Sequence, residues 1–471
     1  MDLSYRRTVH LVGVGGAGIS AIGIILAAMG HRVSGSDVNR TGAWPQLEAA
    51  GVDVEVVEAV DLFGAARRHG ADVVAHSTAF PPSPAILEAA TDAGQVLVNR
   101  AGILAAICAA RSTVAVSGTH GKTSTTAMLA TLLDGAGADP SFLIGAVPVG
   151  LAEAARWGGA GGAFVVEADE SDGSFLELGA HTAPVTNIDE DHLDHWGSIE
   201  RIEAGFDRFL AEATTRIVCI DDPRVPVGVD ERALRLATSR GAVTVGESAE
   251  ARYRLHDVVI DRLTTTFGLL VDGIEVGPVS IGTPGRHHAR NAAVALATAA
   301  TLGIPPAAGV AALASYTGVA RRFEVVGEAG GVTVVDDYAH NPGKVRALVA
   351  SAQEAGWDRV VVVFQPHRYS RTRDQGGDFG AALALADVVA VTDVYGAGEQ
   401  PLPGVSGRNL LDAVLDRRPW AEVAWVPNLD DAAAWAASVL RPGDLCLTVG
   451  AGDIASLGPR LVAARAATSP A

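Results

Sequence analysis

Lysine is almost missing from this chain: among 471 residues it stands only at Lys122 and Lys344, so nearly all of the 36 basic residues are arginine. Arginine's planar fork does not replace a compact ammonium wrapped by a tight loop, so a lysine kept in such a composition marks its position. Cysteine is scarce too. Cys108, Cys219 and Cys446 are odd in number, far apart and each in or beside an apolar segment, which excludes a disulfide framework and leads us to expect reduced core thiols in a cytoplasmic protein. Positive charge is in deficit. A formal charge of −18 argues against a general nucleic-acid binder, whose affinity comes from clustered cations, and requires any anionic ligand to meet local positive sites. There is no uninterrupted apolar run of 18 or more residues, so no membrane insertion is expected. The opening Met1-Asp2-Leu3-Ser4-Tyr5 lacks a basic stretch followed by an apolar one, so no signal peptide is expected and the protein is read as soluble.

Aromatics are few, and abundant Gly and Ala suit helices packed closely on sheets. The length allows about three domains of ordinary size. Apolar β-branched strands alternate with helical segments, and polar clusters stand at the strands' carboxyl ends, which predicts an α/β fold throughout.

The most informative stretch runs from Val114 to Thr126. A buried strand enters the turn Ser117-Gly118-Thr119-His120-Gly121, and Lys122-Thr123-Ser124 opens an apolar helix. Gly118 and Gly121 let backbone N–H groups approach phosphate oxygens, the helix start offers its positive dipole end, Lys122 adds a point charge and the Thr123 hydroxyl can ligate Mg²⁺. The strict pattern GxxxxGK[ST] wants glycine where Val116 stands, so context carries this reading.

Earlier, Thr8 to Val12 reads as a strand, and Gly13-Val14-Gly15-Gly16-Ala17-Gly18 fits GxGxxG before a helix. A second strand ends at Asp37, near where a dinucleotide fold places its ribose-binding acid; taken alone this suggests NAD, although the same geometry accepts any diphosphate. The strand Ala71 to His76 delivers Ser77 at its carboxyl end. After the phosphate loop, two strands end in acid-rich segments, Glu167 to Asp172 and Asp189 to Trp196, the second holding His192 and His195. A cation beside a triphosphate needs such carboxylates. Gly282 to Asn291 precedes an alanine-rich helix and either caps it or meets a purine edge. Further on, strands end in Asp336-Asp337-Tyr338-Ala339-His340-Asn341, in Gln365 to Thr372 and in Gly450 to Asp453. In so acidic a chain, His367, Arg368 and Arg371 read as an anion site.

The order GVGGAGIS, SGTHGKTSTT, EADESD, NIDEDHLDHW, GRHHARNAA, RRFE, DDYAHNP, QPHRYSRT and GAGD resembles the Mur ligases of peptidoglycan synthesis, from about residue 8 to about residue 455. The family's loop has the shorter form GTxGK[ST], so Val116 counts as strand. The resemblance implies three domains: a Rossmann-like UDP-sugar domain over residues 1–110, a central P-loop ATPase-type domain with a mainly parallel sheet over 111–317, and a Rossmann-like amino-acid domain over 318–471. It implies that Gly15, Gly16, Gly18, Asp37 and Ser77 serve the UDP-sugar, and that Gly118, Thr119, Gly121, Lys122, Thr123 and Ser124 hold the ATP phosphates. Thr123 and Glu167 would ligate one Mg²⁺, and His192 a second. Asn291 and His287 would face the adenine, and Arg322 and Asp336 would close over ATP. Tyr338, His340, His367, Arg368 and Arg371 would bind the amino acid. His288 stands where many relatives have asparagine and receives no base contact. Later-acting members carry a carbamylated lysine after the DH motif; none stands between Asp191 and Arg216, which points to the alanine-adding branch.

The implied reaction joins L-alanine to the lactyl carboxylate of UDP-N-acetylmuramate at the expense of ATP, through an acyl phosphate. Lys122, two Mg²⁺ ions and His192 would neutralise the repulsion between anionic reactants, and His340 is the candidate for helping the amine lose its proton. The expected protein is a monomer or homodimer. Competing readings are a ligase that returns a whole peptide to the same sugar, a nicotinamide dehydrogenase and a non-catalytic nucleotide switch.

Overall fold

The computed structural model describes residues 1–151, 153–225 and 227–468. The chain divides into two compact units: Met1–Asp257 with Phe267–Val279 and Ala289–Tyr316, and Val258–Thr266 with Ser280–His288 and Thr317–Ala471. Three sheets build it, and the expected class, three α/β domains, is what the chain adopts.

The first sheet comprises β1 (Thr8–Val12), β2 (Arg32–Asp37), β3 (Asp53–Val56), β4 (Val73–His76) and β5 (Val96–Asn99), in the order β3-β2-β1-β4-β5 and all parallel. Alternation sorts β1 between two buried faces: Val9 and Leu11 join one apolar cluster and Val12 another. His10 replaces an apolar residue on the second face because β2 offers it partners, Ser34 and Ser36, whose hydroxyls lie 2.9 Å from its two ring nitrogens. Burial drives its pKa down to about 3, so the ring packs neutral. Strand order reverses between β1 and β4, and ligands of open α/β sheets bind in the crevice at such a reversal. Gly13 to Gly18 follows β1, and Ser77 follows β4.

The second sheet holds β6 (Thr113–Val116), β7 (Ser141–Leu143), β8 (Ala155–Arg156), β9 (Phe164–Glu167), β10 (Thr182–Val185), β11 (Thr215–Cys219), β12 (Val243–Gly246), β13 (Tyr253–Asp261), β14 (Thr264–Val271) and β15 (Ile274–Ile281). Its order is β15-β14-β13-β12-β11-β10-β6-β9-β7-β8. β6 is wholly buried, as a parallel strand covered on both faces must be. It lies between β9 and β10, with Val116 opposite Glu167 and Ser117 bridged to Val185. That register brings the phosphate loop and both acid-rich strand ends to one edge of the sheet.

The third sheet contains β16 (Glu324–Ala329), β17 (Val332–Asp337), β18 (Arg359–Phe364), β19 (Val388–Val391), β20 (Glu422–Trp425) and β21 (Asp444–Val449), in the order β16-β17-β21-β18-β19-β20. β16 and β17 pair antiparallel, and β17, β21, β18, β19 and β20 run parallel. Val360, Val362 and Phe364 of β18 enter one buried cluster, and Val361 and Val363 the other. Among the described residues no helix is long and apolar enough to cross a membrane.

Candidate functional site

Gly118 carries a φ of +131°, and a Cβ there would stand 2.1 Å from Thr186 Oγ1 and 2.9 Å from the Thr186 backbone nitrogen. Only glycine fits where the loop leaves β6 so close to the end of β10. The β10 end then fastens the loop residue by residue. Thr119 N–H donates to the Asn187 carbonyl at 3.2 Å, His120 N–H donates to Asn187 Oδ1 at 2.9 Å, and the Asn187 amide donates to the His120 carbonyl at 2.9 Å. His120 Nε2 lies 3.2 Å from Asp189 Oδ2, and this bond holds the Asp189 carboxyl below the usual carboxylate range. Gly121, at φ +84°, caps the helix Lys122–Gly135. Ser124 is buried in that helix's first turn.

The loop's cation and hydroxyl both end on carboxylates. Lys122 Nζ donates to Glu170 Oε2 at 2.6 Å and to the Gly118 carbonyl at 3.0 Å. Burial pushes the Glu170 carboxyl above its ordinary range against the pull of Lys122. Thr123 Oγ1 donates to Glu167 Oε1 at 2.9 Å, and Glu167 Oε2 accepts from Gly145 N–H at 2.9 Å. The second oxygen of Glu170 is buried without a hydrogen-bond partner among the described residues; His192 Nε2 lies 3.9 Å from it. His192 itself sits at φ +51°, a conformation that costs a non-glycine residue on the order of 1 kcal/mol and clusters at functional positions.

Asn291 lies against the loop: a Cβ on Gly121 would approach its amide to 2.7 Å, and its Nδ2 is buried without a partner among the described residues. In the second unit His287 lies 3.4 Å from Ser351 Oγ, and the adjacent His288 is buried, which drives its pKa well down.

At the first sheet, Gly13 (φ +77°) turns the chain, and a Cβ there would be 3.0 Å from that of Ser77. Gly16 N–H closes the turn on the Gly13 carbonyl at 3.1 Å. Asp37 does more than end β2: its Oδ2 accepts from Gly15 N–H at 2.9 Å and its Oδ1 from Val38 N–H at 2.7 Å. The acid shapes the glycine loop.

The second unit gathers a basic, aromatic cluster at the carboxyl ends of β17, β18 and β19. His340 Nδ1 is 2.9 Å from the Tyr338 carbonyl; a carbonyl only accepts, so Nδ1 carries the proton and Nε2 a lone pair. Burial, the largest cause, lowers the His340 pKa to about 4. Its ring lies 5.6 Å from that of His367, which stacks on Tyr395 at 5.8 Å. Arg371 Nη1 donates to the carbonyls of His340 and His367 at 3.3 and 3.4 Å. Arg368 enters the following helix at φ +73°. Asp336 is buried and pairs with Arg321 at 3.1 Å and with the Thr448 hydroxyl at 2.9 Å. Arg322 instead lies over the Tyr338 ring at 5.4 Å.

Sequence reasoning left Glu170, Thr186, Asn187, Asp189, Arg321 and Tyr395 without roles. The acid-rich run flagged Glu170 and Asp189 as a group; the partners of the others lie on distant strands and leave no local pattern.

Models of three families match the chain: Mur ligase family, catalytic domain, over residues 8–112; Mur ligase middle domain, over 116–299; and Mur ligase, glutamate ligase domain, over 321–452. A UDP-N-acetylmuramate–L-alanine ligase of Acidothermus cellulolyticus is 42% identical, over 96% of this chain and 94% of its own. That of Pelotomaculum thermopropionicum is 38% identical over 97% of each. The crystal structure of UDP-N-acetylmuramate-alanine ligase MurC from Thermotoga maritima superposes with a TM-score of 0.78 at 27% identity, covering 98% of this chain and 100% of that one. The chain belongs to the Mur ligase family.

Proposed function

We propose that this protein is an ATP-dependent ligase that joins L-alanine to the lactyl carboxylate of UDP-N-acetylmuramate, an early cytoplasmic step of peptidoglycan precursor synthesis. The observation that carries the chemistry is the phosphate loop whose lysine and threonine end on Glu170 and Glu167 of the neighbouring strand end. The activity for which the relatives are named supplies the substrates. Residues 1–110 take the UDP-sugar, 111–317 ATP and 318–471 the amino acid.

A carboxylate is a poor electrophile. It attacks the γ-phosphorus of ATP, ADP leaves, and the amine of L-alanine displaces phosphate from the acyl phosphate through a tetrahedral intermediate. No protein nucleophile is needed; the chain's work is positioning and charge neutralisation. Lys122 exchanges Glu170 for phosphate oxygens, while Gly118, Thr119 and Gly121 present backbone N–H groups. Asn291, buried beside Gly121 with an unpaired amide, faces the nucleotide, with His287 contributing from the same helix. Arg322 and Asp336 act in closure over ATP.

Thr123 and Glu167 fit Mg²⁺, which binds through one or two protein oxygens and completes its shell with phosphates and water. His192, beside the unpaired Glu170 oxygen, suits a second ion. A metal held there would supply charge neutralisation for the phosphates and the attacking carboxylate. In the second unit Arg371, Arg368 and His367 take the amino acid's carboxylate. The neutral His340 offers Nε2 to its ammonium and receives a proton as the amide forms.

The test is phosphate release and amide product with UDP-N-acetylmuramate, ATP and Mg²⁺, adding L-alanine, glycine, L-serine and a cell-wall tripeptide in turn. Turnover with L-alanine well above the tripeptide is expected; turnover with the tripeptide alone contradicts the assignment.

A further inference from the structure

His192 stands between the end of β10 and the single helical turn Leu193–Trp196, in the left-handed conformation at φ +51°. A histidine keeps that conformation only where its surroundings impose it, so the segment must be held at both ends. The entry end is fastened to the phosphate loop: Asp189 N–H donates to Thr119 Oγ1 at 3.0 Å, and Asp189 Oδ2 lies 3.2 Å from His120 Nε2. Asp191 Oδ1 then accepts from His192 N–H at 2.8 Å.

The exit end is fastened by Trp196. Its indole Nε1 donates to the Glu170 carbonyl at 2.9 Å, which also accepts from Gly173 N–H at 3.2 Å. Glu170 is the residue whose carboxylate takes Lys122 and whose other oxygen lies 3.9 Å from His192 Nε2. One side chain thus ties the turn after His192 to the partner of the phosphate-loop cation. The ring has a built seat. On the helix Ile199–Glu212, a Cβ at Gly205 would stand 2.7 Å from Trp196 Cη2, and the buried Phe175 meets the indole edge-on, with 6.3 Å between centroids at 81°. Beside it Gly173, at φ +75°, makes room for His195, whose Nε2 would lie 3.2 Å from a Cβ there. Packing accounts for an aromatic ring at 196. The N–H adds direction, because a donor-only group bonded to one carbonyl fixes the ring's rotation and with it the turn.

Resting on the ligase reading above, we infer that Trp196 is a positioning residue for phosphoryl transfer: through its bond to the Glu170 carbonyl it holds His192 and the Glu170–Lys122 pair at a fixed separation. It binds no substrate itself. Its loss is therefore expressed in the chemical step and spares the affinity for ATP.

Full-length wild type, Trp196→Phe and Gly205→Ala are compared with UDP-N-acetylmuramate, ATP, Mg²⁺ and L-alanine. Trp196→Phe keeps a ring and removes the N–H; Gly205→Ala keeps the N–H and displaces the ring. Turnover is read as kcat and KM, ATP affinity by calorimetry, and backbone hydrogen exchange by mass spectrometry. Trp196→Phe should lower kcat about 10- to 100-fold, the range for a misplaced reacting group, and leave ATP affinity within about twofold of wild type. Faster exchange should be confined to residues 189–197, where the N–H groups of His195, Trp196 and Gly197 close the turn on His192 and Leu193. Gly205→Ala should show the same split to a smaller degree. An unchanged kcat in Trp196→Phe overturns the inference alone. ATP affinity lost in step with kcat, or faster exchange spread over the whole first unit, overturns it in favour of a tryptophan that only packs. Should Trp196→Phe fail to fold, Gly205→Ala decides by the same criteria. A wild type that releases no phosphate with all substrates present overturns the ligase reading, and this inference with it.

Discussion

Lys122 and Glu170 illustrate how a buried charge pair sets both stability and function. Their side chains are 12% and 3% exposed, so removing one partner strands the other, at a cost of about 3 kcal/mol. Glu170's carboxyl is already raised by burial with Lys122 opposing; without the lysine it rises further. A carboxyl whose folded pKa exceeds its unfolded one stabilises the fold below the unfolded value and loses that contribution as pH rises through the folded pKa. Lys122→Ala should therefore lose more melting temperature at pH 8 than at pH 5, and adding Glu170→Gln should recover most of the loss at pH 8 without restoring ligation. A Lys122→Ala melting temperature equally depressed at both pH values would contradict the buried-carboxylate account. The single variant should also abolish ATP-dependent turnover while changing UDP-sugar affinity by less than about threefold, since the two sites use different loops. Lys122 was legible in the sequence because a tight phosphate loop demands an ammonium. Glu170 was one of four carboxylates in six residues, and nothing local distinguishes the one that folds back onto the lysine.

Among the elements, the β6 turn works because the end of β10 grips it. Gly118→Ala places a methyl within 2.1 Å of Thr186 Oγ1, at a φ of +131°. We expect a loss of about 1–3 kcal/mol from strain and clash and at least tenfold weaker ATP binding, measured by calorimetric melting and nucleotide titration. Near-normal ATP affinity would mean that the grip of Thr186 and Asn187 does not shape the loop. The central strands were readable because parallel strands covered on both faces become continuous apolar runs: β1, β6, β18 and β21 lie where such runs predict them. The edge strands β3, β5 and β20 are four residues long with their end residues exposed, and β3 alternates acid with valine, so no apolar run announces it. Asp37 stands near where motif spacing places a ribose-binding acid; its carboxylate also bonds Gly15 N–H, a contact that spacing does not encode. Asp336 bonds Arg321, a residue at positive φ, and spacing does not encode that contact either.

At the scale of the molecule, the proposed ligase reading has an acidic chain meet its anionic reactants with cations at strand ends, Lys122 in the phosphate loop and Arg368 with Arg371 at the β18 end. On the proposed reading, the phosphate loop and the sugar domain serve one chemical event, transfer of a γ-phosphoryl group to a carboxylate that an amine then attacks. Oxygen tracing tests it most directly. UDP-N-acetylmuramate labelled with ¹⁸O in its lactyl carboxylate is turned over with ATP, Mg²⁺ and L-alanine, and the released phosphate and the amide are examined by mass spectrometry. An acyl phosphate requires one carboxylate oxygen to leave with the phosphate and the other to remain in the amide carbonyl. Unlabelled phosphate, released at the same rate without the sugar, would show hydrolysis of ATP by water and would contradict the account.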